Sequence, residues 1–168
     1  GSVIISRKNE HRILKCPSDT SQSCINVAGQ QGFWGTALHL LNSPTSVGLH
    51  TNLDYAILDK GNRRVQRCPA AGTGSCTTVV SGLSTDPNQL VLHFNDYIVL
   101  DMGNVQWCPS AGGNCVVLSV AEDVAAVTVC PRTGAYFLGT VTGSIMKCPP
   151  PAVMSQASQS GEQLLLRA

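Results

Sequence analysis

Eight cysteines, four histidines and two recurring aspartates carry most of the chemistry open to this 168-residue chain. Cys16, Cys68, Cys108 and Cys148 each stand in a Cys-Pro pair, spaced 52, 40 and 40 residues apart. Cys24, Cys76 and Cys115 follow the first three, across loops rich in Ser, Gly and Ala. A cysteine ending one strand and a cysteine opening the next would meet across a hairpin, where bridging geometry is attainable. The spacing therefore predicts disulfides Cys16–Cys24, Cys68–Cys76 and Cys108–Cys115, each worth roughly 2–3 kcal/mol in the chain-entropy model. Zinc is the competing chemistry, but its ligand pairs are usually separated by about two to four residues. Disulfides in turn predict an oxidising, extracytoplasmic compartment, secreted or lumenal. Cys130 and Cys148 remain and pair by elimination. A strand would stand between them, separating the backbones by about 9–10 Å, so the bridge requires Cys-Pro to bend the chain inward.

His50, His93 and Cys130 occupy one place in three successive units, the end of an inner strand. Where such ends converge, two imidazoles and a thiolate could hold Zn²⁺ or copper. No motif sets a carboxylate or general base beside them, and a disulfide at Cys130 would remove one ligand. Polar rim residues are the plainer reading, and no cofactor is expected. Asp59 and Asp101 invite a paired-carboxylate reading, but their Asp-x-Gly-Asn context is turn chemistry. The chain has no nucleophile elbow, phosphate loop or His-Glu-x-x-His helix.

Four cations, Arg12, Lys15, Arg64 and Arg67, recur at matching places in adjacent units. With Arg7, Lys8, Lys60 and Arg63 they predict one basic sector that docks an acidic protein. A solvated face is the plain alternative. RNA phosphates would suit the charge, but extracytoplasmic cysteines argue against nucleic acid.

The elements that must position these residues are repeats. Leu53 to Pro69, LDYAILDKGNRRVQRCP, reads as a β-hairpin: an apolar run, an Asp-Lys-Gly-Asn turn, an alternating strand and a Cys-Pro stop. The same sentence recurs at 96–109, DYIVLDMGNVQWCP, at 135–149, AYFLGTVTGSIMKCP, and in worn form at 3–17, VIISRKNEHRILKCP. Unit one supplies strands at 46–50, 55–58, 64–68 and 76–80. Unit two supplies 90–94, 97–100, 105–108 and 115–118. Unit three supplies 126–130, 136–138 and 145–148, with an outer strand expected at Gln163-Leu164-Leu165-Leu166 after a linker-like stretch, 149–161. The opening unit lacks its first strand. The second strand of each unit is apolar on both faces, so it needs a sheet neighbour on either side and cover above and below. Units of about 40 residues built so stack radially. The expected fold is all-β, a propeller-like array of about four four-stranded antiparallel blades in one domain, 1–168, standing alone or within a larger ring. The longest connection, 29–45, contains Phe33 and Trp34. It is expected to plug the core between two units with Phe33, Trp34, Leu40 and Leu41.

Composition fits a domain with a real core. Net charge is +1, with eight of eleven Lys/Arg and four acids in the first 67 residues, so that part carries +4 and the rest −3. Only 12% of residues are charged, against about 25% for a typical soluble domain. That suits a surface partly covered by something else, or an ordinary secreted β-protein rich in Ser, Thr and Gly. Glu122-Asp123 interrupts the longest apolar region, so no transmembrane span is expected. No leader is legible, no Asn-x-Ser/Thr site exists, and the chain opens inside a repeat copy, as a processed or partial sequence would.

Residues 43–69 resemble an NHL repeat, in which Pro and Gly-Val open the inner strand, an aromatic precedes Val-Ala-Asp, and Gly-Asn-x-Arg-Val follows. Pro44, Val47, Tyr55, Asp59, Gly61, Asn62, Arg64 and Val65 match it. Unit two keeps Tyr97, Asp101, Gly103, Asn104 and Val105; unit three keeps Tyr136, Gly143 and Ile145; the opening unit keeps Asn9, His11, Arg12 and Ile13. The Cys-Pro staples lie outside the pattern. The resemblance implies a β-propeller, commonly of six blades, that serves mostly as a binding platform. On it rests the expected function: a non-catalytic protein-binding scaffold, an accessory subunit on the lumenal or outer side of a larger assembly. Some family members are lyases or hydrolases with metal at the propeller axis, which makes a metal-dependent enzyme the alternative.

Overall fold

The structure, a computed structural model, describes residues 1–19, 22–71, 75–118 and 124–150. The outer strand expected at 163–166 and all but the first two residues of the 149–161 linker lie outside the described residues. Among the described residues, fourteen strands form four antiparallel sheets in chain order. Blade 1 comprises β1 (Ser2–Arg7), β2 (Arg12–Pro17) and β3 (Ile25–Gly29). Blade 2 comprises β4 (Ser46–Leu49), β5 (Tyr55–Asp59), β6 (Arg64–Cys68) and β7 (Thr77–Val80). Blade 3 comprises β8 (Pro87–His93), β9 (Asp96–Asp101), β10 (Asn104–Cys108) and β11 (Val116–Leu118). Blade 4 comprises β12 (Val124–Val129), β13 (Tyr136–Thr140) and β14 (Ile145–Cys148). Each blade is a meander, so every strand pairs with its sequence neighbour.

The hairpins follow from turn chemistry. Lys60–Asn62 makes one 3₁₀ turn, and Arg63 closes it in the left-handed region at φ 56°. Lys8–Glu10 does the same in blade 1, closed by His11 at φ 57°. Blade 3 is two residues shorter here and turns tightly through Met102 and Gly103, both at positive φ. Glycine adopts that conformation without a Cβ penalty, whereas Met102 is held there by the hairpin.

Alternation along the second strands decides what each blade touches. Tyr55 and Ile57 on β5 pack against Ile4, Ile13, Val27 and Ala28 of blade 1. Their neighbours Ala56 and Leu58 point the other way and join Val65 against Tyr97 and Val99 of blade 3. Ile98 and Leu100 on β9 then join Val105 against Val124, Val127 and Leu138 of blade 4. That is why these strands carry apolar residues at both parities: each face meets a different blade. On the inner strand β4, Gly48 lets β8 approach, since a Cβ there would lie 3.1 Å from Leu92. The blades follow one another in an arc, and among the described residues one face of blade 1 and one face of blade 4 have no neighbouring blade. Residues on those faces, Val3 and Ile145, are 57% and 81% exposed.

Three disulfides form as the spacing predicts, Cys16–Cys24, Cys68–Cys76 and Cys108–Cys115, each with Cα atoms 4.2 Å apart. The Cys130–Cys148 pairing is corrected: both thiols are free. Strand β13 stands between β12 and β14, with Tyr136 paired to Val129 on one side and to Cys148 on the other. The Cys-Pro bend does not close that gap.

Candidate functional site

The sheets give the arc two unlike ends. One carries the turns that join first to second strands and the disulfide loops. The other carries the second-to-third turns and the connections between blades, including 29–45.

At the disulfide end, His50 follows β4, His93 closes β8 and Cys130 follows β12, at equivalent places as expected. They do not assemble a metal site. Nε2 of His50 lies 3.2 Å from the Tyr97 hydroxyl and its Nδ1 3.4 Å from Oδ1 of Asn95. Both nitrogens are therefore committed. Burial pushes the His50 imidazole below its ordinary pKa, and the Arg67 charge adds to this against the opposing effects of Asn95 and Asp54. His93 is pushed down by burial too, and its ring packs against Gly134, where a Cβ would lie 3.1 Å from Nε2. Cys130 is held below the usual thiol range, first by a hydrogen bond with the Thr133 side chain and then by the Arg132 and Thr133 backbone amides. Among the described residues no three His, Cys, Asp or Glu side chains come close enough to hold a metal ion.

The sequence reading missed two carboxylates at this end. Asp54 accepts from Nε of Arg67 at 2.9 Å and from the Ala70 amide at 3.2 Å. Asp96 accepts from Nε1 of Trp107 at 3.1 Å and from the Ser110 amide at 2.8 Å. Each ties the start of a second strand to the chain just past Cys-Pro. The signal was the repeated Asp one residue before or at the opening of the second strand, in LDY and NDY.

At the loop end, Asp59 and Asp101 are buried turn residues, not a catalytic pair. Asp59 accepts from the Asn42 amide at 2.6 Å, from Nδ2 of Asn62 at 2.8 Å and from Nε of Arg64 at 2.8 Å. Asp101 accepts from the Ser84 amide at 2.9 Å, the Ser84 hydroxyl and Nε2 of Gln106. Each clamps the connection that enters its blade.

The basic sector separates. Arg12 and Arg64 open their strands and Lys15 and Arg67 lie toward the opposite end, so the four share no surface. Arg64 is buried and donates to Asp59 and to the carbonyls of Thr36, Ala37 and Leu40. A guanidinium so committed cannot meet a partner. Arg12 pairs with Glu10 at 2.8 Å and Arg67 with Asp54. Lys15 sits opposite Ile25 on the blade face turned toward blade 2.

What Arg64 does instead is build a surface. Its three carbonyl contacts, together with Asn62 Nδ2 donating to the Gly35 carbonyl at 2.7 Å, pin loop 29–45 across the end of blade 2. Leu41 plugs the core between blades 1 and 2 as expected. Phe33 and Trp34 do not: they are 61% and 65% exposed, with Leu38 exposed beside them. Exposed Arg7, Lys8 and Arg63 stand on the neighbouring turns of the same end. Arg63 also donates to the carbonyls of Leu83 and Ser84, and Lys60 pairs with Asp86. The result is a fixed aromatic ledge with a cationic margin.

No protein-family model and no curated protein matches the chain by sequence. Its fold does match solved structures. Virginiamycin B lyase from Staphylococcus aureus superposes with a TM-score of 0.62 at 12% identity, over 90% of this chain and 53% of that one. The gluconolactonase XC5397 from Xanthomonas campestris gives 0.66 at 11% identity, over 87% and 53%. A chain of a nidogen/laminin complex gives 0.63 at 13% identity, over 83% and 55%. This chain therefore spans about half the length of the structures it resembles. At such identities the likeness is one of fold: the four sheets are blades of a β-propeller.

Proposed function

We propose that the chain is an extracytoplasmic, NHL-like propeller module that binds protein through the loop end, as an accessory part of a larger assembly. The observation that carries this reading is the exposure of Phe33 and Trp34 on a loop that Arg64 and Asn62 hold rigid. Aromatic anchors on a pre-ordered loop lose little conformational freedom on binding, and such residues dominate interface energetics. The cations around them favour an acidic partner and raise its capture rate more than its affinity. Three disulfides support the oxidising compartment, and no helix among the described residues is long and apolar enough to cross a membrane.

The test is affinity purification from the extracytoplasmic fraction of source cells, comparing the native chain with a Phe33→Ser/Trp34→Ser variant. Both side chains face water, so the variant should melt with the native protein. It should recover its stoichiometric partner at least about tenfold less well, the loss expected from two anchor residues. Equal recovery of the same partner by both would sink the ledge as the binding surface.

A further inference from the structure

Between blades 1 and 2 a crevice opens on the outer flank of the arc, lined by residues 26–30, His39, Pro69 and the Cys68–Cys76 staple. Its walls come from three parts of the fold. Asn26 to Gly29 belong to β3, the outer strand of blade 1, and Gln30 follows it. The staple and Pro69 form the wall of blade 2. His39 comes from loop 29–45. Val27 and Ala28 are buried together with both cysteines, so the floor is apolar and fixed. The His39 side chain is exposed, but its backbone stands between Ala37 and Leu40, whose carbonyls Arg64 holds. The crevice is therefore formed before anything enters it. Its volume of about 260 Å³ lies below the roughly 300–1,000 Å³ of pockets that take whole small molecules. It is several times the roughly 30 Å³ share of one water, which suits side chains.

Two features of β3 suit it to an extended chain. It ends its sheet, so among the described residues one of its edges has no strand beside it, and such an edge offers unpaired N–H and C=O groups. It also carries an extra residue: Ile13 pairs with Ala28 and Leu14 with Asn26, which leaves Val27 opposite neither. A bulged residue of this kind stays out of the ladder. Charge points to the class of occupant. Among the described residues no carboxylate lines the crevice. His39 offers a ring N–H, and Lys15, half-buried on the same face of blade 1, carries a positive charge with no ion pair among the described residues.

We infer that the crevice holds an extended acidic segment of the protein partner, its main chain paired with the free edge of β3 and a side chain seated against the Cys68–Cys76 staple. Strand addition draws affinity from main-chain hydrogen bonds and specificity from pockets for alternate side chains. The inference rests on the protein-binding reading and adds the form in which the partner is gripped. Gln30 and His39 bracket Phe33 and Trp34 in one loop, so one partner can reach both crevice and ledge.

Short linear peptides displayed on phage and selected on the immobilised chain test this without the native partner. Selection should enrich acidic sequences, and one of them, made synthetically, is the probe. N-methylation of alternate residues should abolish its binding in one register and spare it in the other, because an added strand pairs through every second residue. His39→Asp, at an exposed site, should weaken binding at least about tenfold by setting like charges together, with thermal unfolding unchanged. Phe33→Ser/Trp34→Ser should leave the peptide bound. The inference is overturned if no selected peptide responds to His39→Asp, or if the two N-methylated registers behave alike. The ledge stands or falls separately. If the ledge variant loses the native partner and no crevice peptide exists, the crevice alone fails. If the peptide binds as described and the ledge variant recovers its partner undiminished, the ledge alone fails.

Discussion

Residues 3–17 and 55–69 are the same hairpin written twice, and they end in different surroundings. Both make two strands, a one-turn 3₁₀ connection closed by a left-handed residue, and a Cys-Pro stop with a disulfide. The second is sandwiched between blades; among the described residues the first has a neighbouring blade on one side. The comparison separates what a repeat specifies from what its neighbours specify. Turn chemistry and the staple set the hairpin in either place. Burial comes from stacking, and the polar wedge at the loop end follows it. In blade 2 the wedge is one acid and one base, Asp59 and Arg64, whose remaining bonding capacity is met by Asn62, the Asn42 amide and three loop carbonyls. In blade 1 the equivalent positions are Arg7 and Arg12, and one turn acid, Glu10, serves both. The hydrogen bonds from Arg7 and Arg12 hold the Glu10 carboxyl below its ordinary range. Two cations on one carboxylate suit a wet surface and would leave excess charge in a buried one.

The largest contrast follows from that wedge. Arg64→Ala should cost about 4 kcal/mol, because it leaves Asp59 charged, buried and without its ionic partner, and frees loop 29–45. Arg12→Ala, at the same repeat position, should cost about 1 kcal/mol or less, because its half-buried pair with Glu10 stays in reach of water. Urea midpoints of the two variants decide it. Similar losses would mean that the blade 1 wedge is buried in the protein as it exists.

A second pair tests stacking alone. Ile57→Ala removes a fully buried side chain from the interface of blades 1 and 2 and should cost about 3 kcal/mol. Ile5→Ala, one repeat earlier and part exposed, should cost about 1 kcal/mol or less in the isolated monomer. Urea midpoints of the two variants check it, and equal losses would show that Ile5 is covered in the protein as Ile57 is.

The hairpins, the three local disulfides and the radial array were legible because each rests on short-range signals repeated several times. Turn residues, the two-sided apolar strand and the Cys-Pro stop agree in the two middle units and recur in worn form in the outer ones. The side-chain roles were less legible because they depend on which segment crosses a blade end. Arg64 looked like a surface cation because its strand alternates. Only the path of loop 29–45 shows that three carbonyls wait for it. Phe33 and Trp34 looked like core for the same reason, since sequence shows hydrophobicity and not which of four neighbouring apolar residues, Leu41 here, takes the plug. The Cys130–Cys148 pairing rested on counting, and the intervening strand β13 decided against it.

The smallest effect, and the last, compares residues at the end of the inner strands. His50 and His93 are buried there, and burial pushes both imidazoles below their ordinary pKa, where blade 4 has the half-buried thiol of Cys130. In the neutral ring Nδ1 donates to Asn95 Oδ1 and Nε2 accepts from the Tyr97 hydroxyl, and it is burial that disfavours the charged form of His50. Its folded pKa is depressed, so below the ordinary histidine value of about 6.5 the unfolded chain takes up a proton that the folded chain refuses. Stability must then fall as pH drops through that value, by at most about 1.4 kcal/mol per pH unit for each such imidazole. The paired carboxylates Asp54 and Asp86, with depressed pKa values, lose their contribution only in more acidic solution, so the window from about pH 7.5 to about pH 5.5 isolates the histidines. His50→Gln should lower stability at the upper end, where the Tyr97 contact is altered, and flatten the slope below it, leaving the part due to His93. A variant that loses stability on acidification as steeply as the native chain would show that the His50 imidazole takes its proton without leaving the fold.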